Sequence, residues 1–439
     1  MKKGNPVALL PLVVFLVLFL GSGLYFNAKG VEFAFYQLPA PVAAVVGIIV
    51  AFIVCKGTMD EKMDTFVAGV GESNIIIMCL IYLLAGGFSA VASAMEGVDS
   101  TVNFGLSVIP PRLILPGLFI IASFVATAMG TSMGTIGAVA PIAVEMAVKA
   151  QLPVALAVGA VVGGAMFGDN LSMISDTTIA ATRTQGCEMR DKFIMNFLIA
   201  LPAAIATIVV MTIFGVSGKI PTDLEYSFIK IIPYISVLVL ALAGMNVFLV
   251  LIIGIALGGV IGLAEGSFTL IGYSQKIYEG FTSMQEIFIL SLLIGGLAAL
   301  ISKEGGIDYL LNLISSKIKS VKGAELGIAA LVSVADICTA NNTVAIVITG
   351  PMAKQIADEN GVDPRRSASM LDIFSCVWQG IIPYGAQMLL AGQLSGLSPI
   401  EIMPTLYYPY LLGITALLAI AFGFPKVKAK ANNKIEAAV

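Results

Sequence analysis

Apolar residues in this chain run in long continuous blocks rather than in alternation. The blocks lie near residues 6–26, 38–55, 73–95, 113–149, 152–182, 193–215, 229–264, 286–302, 323–360, 366–392 and 402–424. An α-helix rises about 1.5 Å per residue, so about 20 apolar residues cross a ~30 Å hydrocarbon layer. The pattern predicts an all-α polytopic membrane protein with about 11–14 membrane segments; a barrel would need short alternating strands instead. The blocks at 113–149 and 323–360 are too long for one crossing. Small polar runs interrupt them: Met129-Gly130-Thr131-Ser132-Met133-Gly134-Thr135 in the first, Asp336-Ile337-Cys338-Thr339-Ala340-Asn341-Asn342-Thr343 in the second. Each predicts two crossings or a re-entrant hairpin.

The two interruptions share a spacing with other features. Gly86-Gly87 with Gly97-Val98-Asp99 matches Gly295-Gly296 with Gly306-Ile307-Asp308, Pro141 matches Pro351, and the run from Phe167 falls opposite the run from Trp378. Matches in register at one offset predict an internal repeat, 65–215 against 275–425. Residues 1–64 then hold N-terminal transmembrane helices, 216–274 linking helices, and 426–439 a cytoplasmic tail. Basic or mixed loops (the N-terminus, Lys56–Asp64, Arg183–Lys192, Lys303–Lys322, Arg365-Arg366 and the tail) fit the cytoplasmic side, and loops 96–111 and 393–403 the other. That assignment puts corresponding loops on opposite sides, so the repeat is expected to be inverted. Both chain ends are then cytoplasmic, in the inner membrane of a bacterium or archaeon. The block at 6–26 reads as the first transmembrane helix, being too long for a signal-peptide core.

Composition narrows the chemistry. Hydrophobic residues make up 58% and charged residues 12% of 439 positions, about half the charge of a soluble domain. A net charge of −3 gives no footprint for nucleic acid. The five cysteines show no CxxC pair and no metal spacing, and there is no histidine. Proton chemistry must therefore run on carboxylates, lysine or water. No Walker motif appears, so ATP is not the expected energy source. The chain reads as a transporter rather than an enzyme, with no cofactor beyond coupling ions.

Polar groups inside apolar blocks are costly and mark candidate sites. The densest run is Phe167-Gly168-Asp169-Asn170-Leu171-Ser172-Met173-Ile174-Ser175-Asp176-Thr177-Thr178. Asp169 and Asp176 share a face if the segment is helical, with Asn170, Ser172 and Ser175 lining a polar cavity. Thr131, Ser132 and Thr135 add hydroxyls at a helix break whose freed carbonyls suit sodium. Sodium is expected at Ser132, Asp169 and Asn170. Substrate or a second ion is expected at Asp336, Asn341, Asn342, Thr343, Asp372, Gln379, Tyr384 and Gln387. Asp372 is a proton or sodium carrier, or else pairs with Arg365 or Arg366. Tyr407, Tyr408 and Tyr410 read as an interfacial aromatic belt.

The runs Gly168-Asp169-Asn170-Leu171-Ser172-x-x-Ser175-Asp176-Thr177-Thr178 and Gly130-Thr131-Ser132-x-Gly134-Thr135 resemble motifs of the NhaC-type Na+/H+ antiporter family. The resemblance is specific in the first repeat and looser in the second, where Asn341-Asn342-Thr343 is similar to substrate-binding runs of sodium/dicarboxylate carriers. It implies a secondary transporter working by alternating access, with Na+ and H+ as partners alongside the lipid bilayer. It leaves two readings open: Na+/H+ antiport, or Na+- or H+-coupled transport or exchange of an amino acid or organic acid. A channel or a structural membrane protein is the third class, and a homodimer is one assembly open to such a chain.

Overall fold

A computed structural model describes residues 4–29, 31, 37–173, 175–213, 224–243, 245–315, 318 and 320–425. Met1-Lys2-Lys3, Ile174 and the expected tail at 426–439 lie outside the described residues. Among the described residues every regular element is helical. The first ten helices are α1 (Leu10–Ala28), α2 (Ala40–Val54), α3 (Met59–Val70), α4 (Ser73–Ala94), α5 (Gly97–Val108), α6 (Ile114–Met129), α7 (Ser132–Lys149), α8 (Val154–Leu171), α9 (Asp176–Gln185) and α10 (Met189–Ile213). The rest are α11 (Phe228–Leu242), α12 (Val247–Ala264), α13 (Leu270–Ser283), α14 (Gln285–Lys303), α15 (Gly306–Ser315), α16 (Val321–Thr339), α17 (Asn342–Asn360), α18 (Pro364–Gln379), α19 (Ala386–Ser395), the single turn α20 (Pro399–Ile402) and α21 (Tyr407–Phe422).

Seven helical spans among these residues are long and apolar enough to cross a membrane by length and composition, and an eighth arises if Pro399–Thr405 and Tyr407–Phe422, bent by 55°, act together. The shorter apolar helices α2 and α11 fall below that test, whereas α6, ahead of the first interruption, passes it. Large apolar side chains such as Val17, Ile53, Phe124, Ile205, Val260 and Leu418 stay exposed, the surface a hydrocarbon solvent permits. The apolar block at 229–264 is two helices: the chain leaves helical geometry after Leu242, and Asn246 caps α12 by accepting from the Phe248 N–H at 2.9 Å. The expected belt also loses a member. Tyr408 is fully buried, its ring 5.7 Å from Phe119 and 5.5 Å from Phe167.

Packing follows a matched exchange. Helix α6 lies on α8 as α16 lies on α18, whereas α3 lies on α14 and α13 on α4, and α7 lies on α19 and α17 on α9. The same pairing appears upstream of residues 65 and 275, where α11 packs on α12 as α1 packs on α2. Residues far apart in the chain also meet directly at one common spacing. The Cys79 thiol reaches the Phe288 carbonyl at 3.8 Å and the Tyr82 and Ser291 hydroxyls lie 3.3 Å apart, each pair 209 residues apart in sequence. In lipid, helices associate through close packing of small residues rather than through burial of apolar area. Two glycine contacts carry this here. Gly86 of α4 meets Gly280 of α13, and Gly69 of α3 meets Gly295-Gly296 of α14. A Cβ on Gly86 would stand 2.2 Å from the Gly280 carbonyl oxygen, which only a backbone shift could relieve. Gly86→Val is expected to lose about 1–3 kcal/mol of stability through this overpacking. Thermal unfolding in detergent measures it, and an unchanged midpoint would contradict the close approach.

Candidate functional site

Both interruptions fold as breaks between consecutive helices, with like geometry. Helix α6 closes on Gly130 in the left-handed region (φ 70°), and the extended Thr131 caps α7 by accepting from the Gly134 N–H at 3.5 Å. Helix α16 closes on Ala340, also left-handed (φ 52°), and the extended Asn341 caps α17 by accepting from the Val344 N–H at 3.0 Å. Pro141 and Pro351 sit inside the two following helices. A left-handed alanine costs roughly 1–2 kcal/mol that a glycine avoids.

A second pair of breaks faces the first. Helix α8 ends at Leu171, Ser172 is extended, and Ser175 caps α9 by accepting from the Thr178 N–H at 3.3 Å. Helix α18 ends at Gln379, and α19 starts at Ala386. The four breaks surround one cavity of about 90 Å³, room for about three waters at ~30 Å³ each.

Of the residues expected from sequence, Thr131, Ser132, Asp169, Asp176, Asn341, Asn342, Thr343, Gln379 and Gln387 line this cavity, together with Gly130, Thr177 and the apolar Ile77, Met78, Ile81 and Met133. A buried relay joins both halves. The Ser132 hydroxyl donates to Asp169 Oδ2 at 2.8 Å and accepts from Gln387 Nε2 at 3.0 Å; Gln379 Nε2 donates to Gln387 Oε1 at 2.6 Å and to the Ala340 carbonyl at 3.2 Å. The first turns of α7 and α17 bring their positive dipole ends to the cavity, and the last carbonyls of α6 and α16 bring the negative ones. One wall can thus solvate a cation and another an anion.

The remaining expected residues lie around it. Thr135 is buried and donates to the Thr131 carbonyl at 3.0 Å. Tyr384 is buried, not an interfacial anchor, and donates to the Ile337 carbonyl at 2.6 Å. Asp336 is fully buried with neither carboxylate oxygen hydrogen-bonded. Ser172 and Ser175 are buried in the α8–α9 connection, where the Ser172 carbonyl accepts from the Thr178 hydroxyl at 2.7 Å and the Ser175 hydroxyl donates to Thr178 Oγ1 at 3.0 Å. Asp169 and Asp176 do not share a helix face, because α8 ends at Leu171 and Ser172 and Ser175 are extended; Asp176 opens α9 and reaches the cavity from beyond the break. The Asn170 amide turns away from Ser132, donating to Asp372 Oδ2 at 2.9 Å.

Asp372 pairs with neither nearby arginine. Arg366 is bound to Glu325 and Arg365 to Asp363, while Lys192 Nζ lies 2.6 Å from Asp372 Oδ2. Lys192 is fully buried although its sequence neighbourhood reads as a basic loop, and Asn196, one turn on in α10, donates to the same carboxylate oxygen at 2.7 Å. The readable signal was that spacing: Lys192 and Asn196 stand four apart at the start of an apolar helix, hence on one face.

Ser132→Ala leaves Asp169 without its hydroxyl donor and Gln387 without its acceptor. Unmet buried partners cost about 1–3 kcal/mol, so the variant should melt lower and transport less. Ser132→Thr, which keeps the hydroxyl, should retain most of both; equal losses in the two variants would deny the hydroxyl a role.

The sequence profile of the Na+/H+ antiporter family matches residues 5–216 and 221–424. The chain is 22% identical over 460 aligned residues to the malate-2H+/Na+-lactate antiporter of Bacillus subtilis, covering 97% of this chain and 96% of that one. It is 24% identical over 390 residues to the Na+/H+ antiporter NhaC of Alkalihalophilus pseudofirmus, covering 81% and 82%. Among solved structures, the YdaH transporter of Alcanivorax borkumensis overlaps with a TM-score of 0.44 at 14% identity, covering 96% of this chain and 99% of that one. The MtrF pump of Neisseria gonorrhoeae overlaps with a TM-score of 0.42 at 12% identity, covering 96% and 95%. This chain is a multi-pass membrane transporter and belongs to the Na+/H+ antiporter family.

Proposed function

We propose that the protein exchanges Na+ for H+ by alternating access, with Na+ bound at the broken helices beside Asp169. One observation carries this reading: a buried carboxylate, held on one oxygen by Ser132, lines a small cavity where four helix breaks meet. A monovalent cation there would find the carboxylate, the Thr131 and Ser132 hydroxyls and backbone carbonyls freed at Gly130, which are hard oxygen ligands. A proton and a sodium ion compete for the same carboxylate, and that competition supplies coupling. Asp176 on the opposite wall is the second proton carrier. We place both chain ends in the cytoplasm, on the distribution of lysine and arginine among loops.

A second reading rests on the other wall. Asn342 Nδ2 is buried without a hydrogen-bond partner and lies in the first turn of α17, where a helix N-terminus suits a carboxylate. The relative named for malate and lactate exchange supports an organic acid as co-substrate at this place. Purified protein in proteoliposomes separates the two: an imposed Na+ gradient drives proton flux with no organic solute in the first case, and only with malate, lactate or a similar acid in the second.

Asp169→Asn should fold and raise the half-saturating Na+ concentration by about 100-fold, equivalent to ~3 kcal/mol. Sodium dependence equal to the wild type would remove Asp169 from the site. Asn342→Ala should leave simple Na+/H+ exchange intact and lower exchange of the acid; unaltered acid exchange would exclude the second reading.

A further inference from the structure

Beside the cavity lies a separate buried cluster centred on Asp372. We propose that this cluster is a second monovalent-cation site, which the Lys192 ammonium fills as a tethered competitor in this conformation. The proposal rests on the antiport reading given above and extends it to groups that reading does not use.

The coordination of Lys192 is the first ground. An ammonium has three N–H donors; Lys192 places two, on the Asn170 carbonyl at 2.8 Å and on Thr178 Oγ1 at 2.6 Å, and its Nζ forms an ion pair with Asp372 Oδ2 at 2.6 Å. A carboxylate, a backbone carbonyl and a hydroxyl are also the oxygen types that hold a small hard cation. Lys192 and Asp372 are both fully buried, so an ionised aspartate here is strongly destabilised unless one positive charge stands beside it.

The second ground is the surplus of oxygen. Asp372 Oδ2 is ion-paired with Lys192 and accepts from Asn170 Nδ2 at 2.9 Å and Asn196 Nδ2 at 2.7 Å, while Asp372 Oδ1, Asn170 Oδ1 and Asn196 Oδ1 are buried with no hydrogen-bond partner. A lysine serving only to fasten α10 to α18 would not explain three unmet acceptors around its partner. A cation replacing the ammonium would find oxygens ready for it.

The third ground is the link to the cavity. Asn170 follows Asp169 at the last turn of α8, and its carbonyl is one of the group that the helix end leaves unpaired. Lys192 thus grips the break that carries Asp169, and the charges of both Asp372 and Lys192 act on Asp169. A sodium ion arriving at Asp169 repels the ammonium, and release of the ammonium frees the α8–α9 connection through Thr178.

The proposal makes an unusual demand: deleting a buried positive charge should create cation binding. Lys192→Met, purified in detergent, should bind about one Na+ more per protein than the wild type in equilibrium binding with radioactive Na+. It should melt several degrees lower than the wild type in choline chloride and recover in NaCl at equal ionic strength. Lys192→Met with Asp372→Asn should lose the added ion. The added ion should persist in an Asp169→Asn background, so loss of Na+ at Asp169 is read separately. Lys192→Met with no added Na+ and no Na+-specific recovery, including failure to fold in NaCl, overturns the proposal.

Discussion

Every break in a helix inside an apolar layer frees backbone groups that water cannot satisfy, and the rest of this structure follows from how those groups are met. At Thr131, Asn341 and Ser175 a side-chain oxygen takes an N–H of the next helix. At Gly130 and Ala340 the left-handed residue returns its own N–H to the preceding helix. Each solution needs a short polar side chain or a small residue at a fixed place. The cavity is therefore polar first for structural reasons, and hydroxyls that the caps leave over line it.

Holding four breaks at one place requires the halves of the chain to interlock. The exchange of α3 and α13, and of α7, α9, α17 and α19, between the two series does this without a large apolar interface, since lipid offers no hydrophobic gain to helices that pack. Glycine against glycine permits backbones to touch, and the relay Asp169–Ser132–Gln387–Gln379 ties side chains of both halves into one set of hydrogen bonds. A change at either broken pair is felt at the other through four links, each near 3 Å.

The breaks were legible because their chemistry is dense: glycine, threonine, serine and asparagine cannot all be lipid-facing. The nine cavity residues read from sequence owe their recognition to that density and to the family-like run at 168–178. Where charge decided, reading was poorer. Lys192 sits among Arg183, Arg190 and Asp191 and looks like loop, yet the chain turns into α10 soon enough to bury it against Asp372. Local spacing could not choose its partner, because Asp372 lies 180 positions away and Arg365 and Arg366 lie nearby. The split between α11 and α12 is marked in the sequence only by Gly244 and Asn246, in a stretch that is apolar on both sides of them. Tyr408 shows a related ambiguity: a tyrosine near a membrane end is amphipathic, and only tertiary packing decides whether its ring meets headgroups or Phe119 and Phe167.

The two central breaks are alike in shape and unlike in residue. Gly130 adopts its left-handed backbone freely, whereas Ala340 holds the same backbone against steric resistance. Such strain persists only where surrounding contacts over-determine it, and here the Gln379 amide fastens the Ala340 carbonyl. The halves therefore do not carry equal loads. Any cycle that loosens one break and then the other passes through conformations of unequal energy, and a difference of about 1 kcal/mol already sets a roughly fivefold imbalance in dwell time between them. A single methyl group at position 340 thus makes two breaks of like shape unequal in backbone strain.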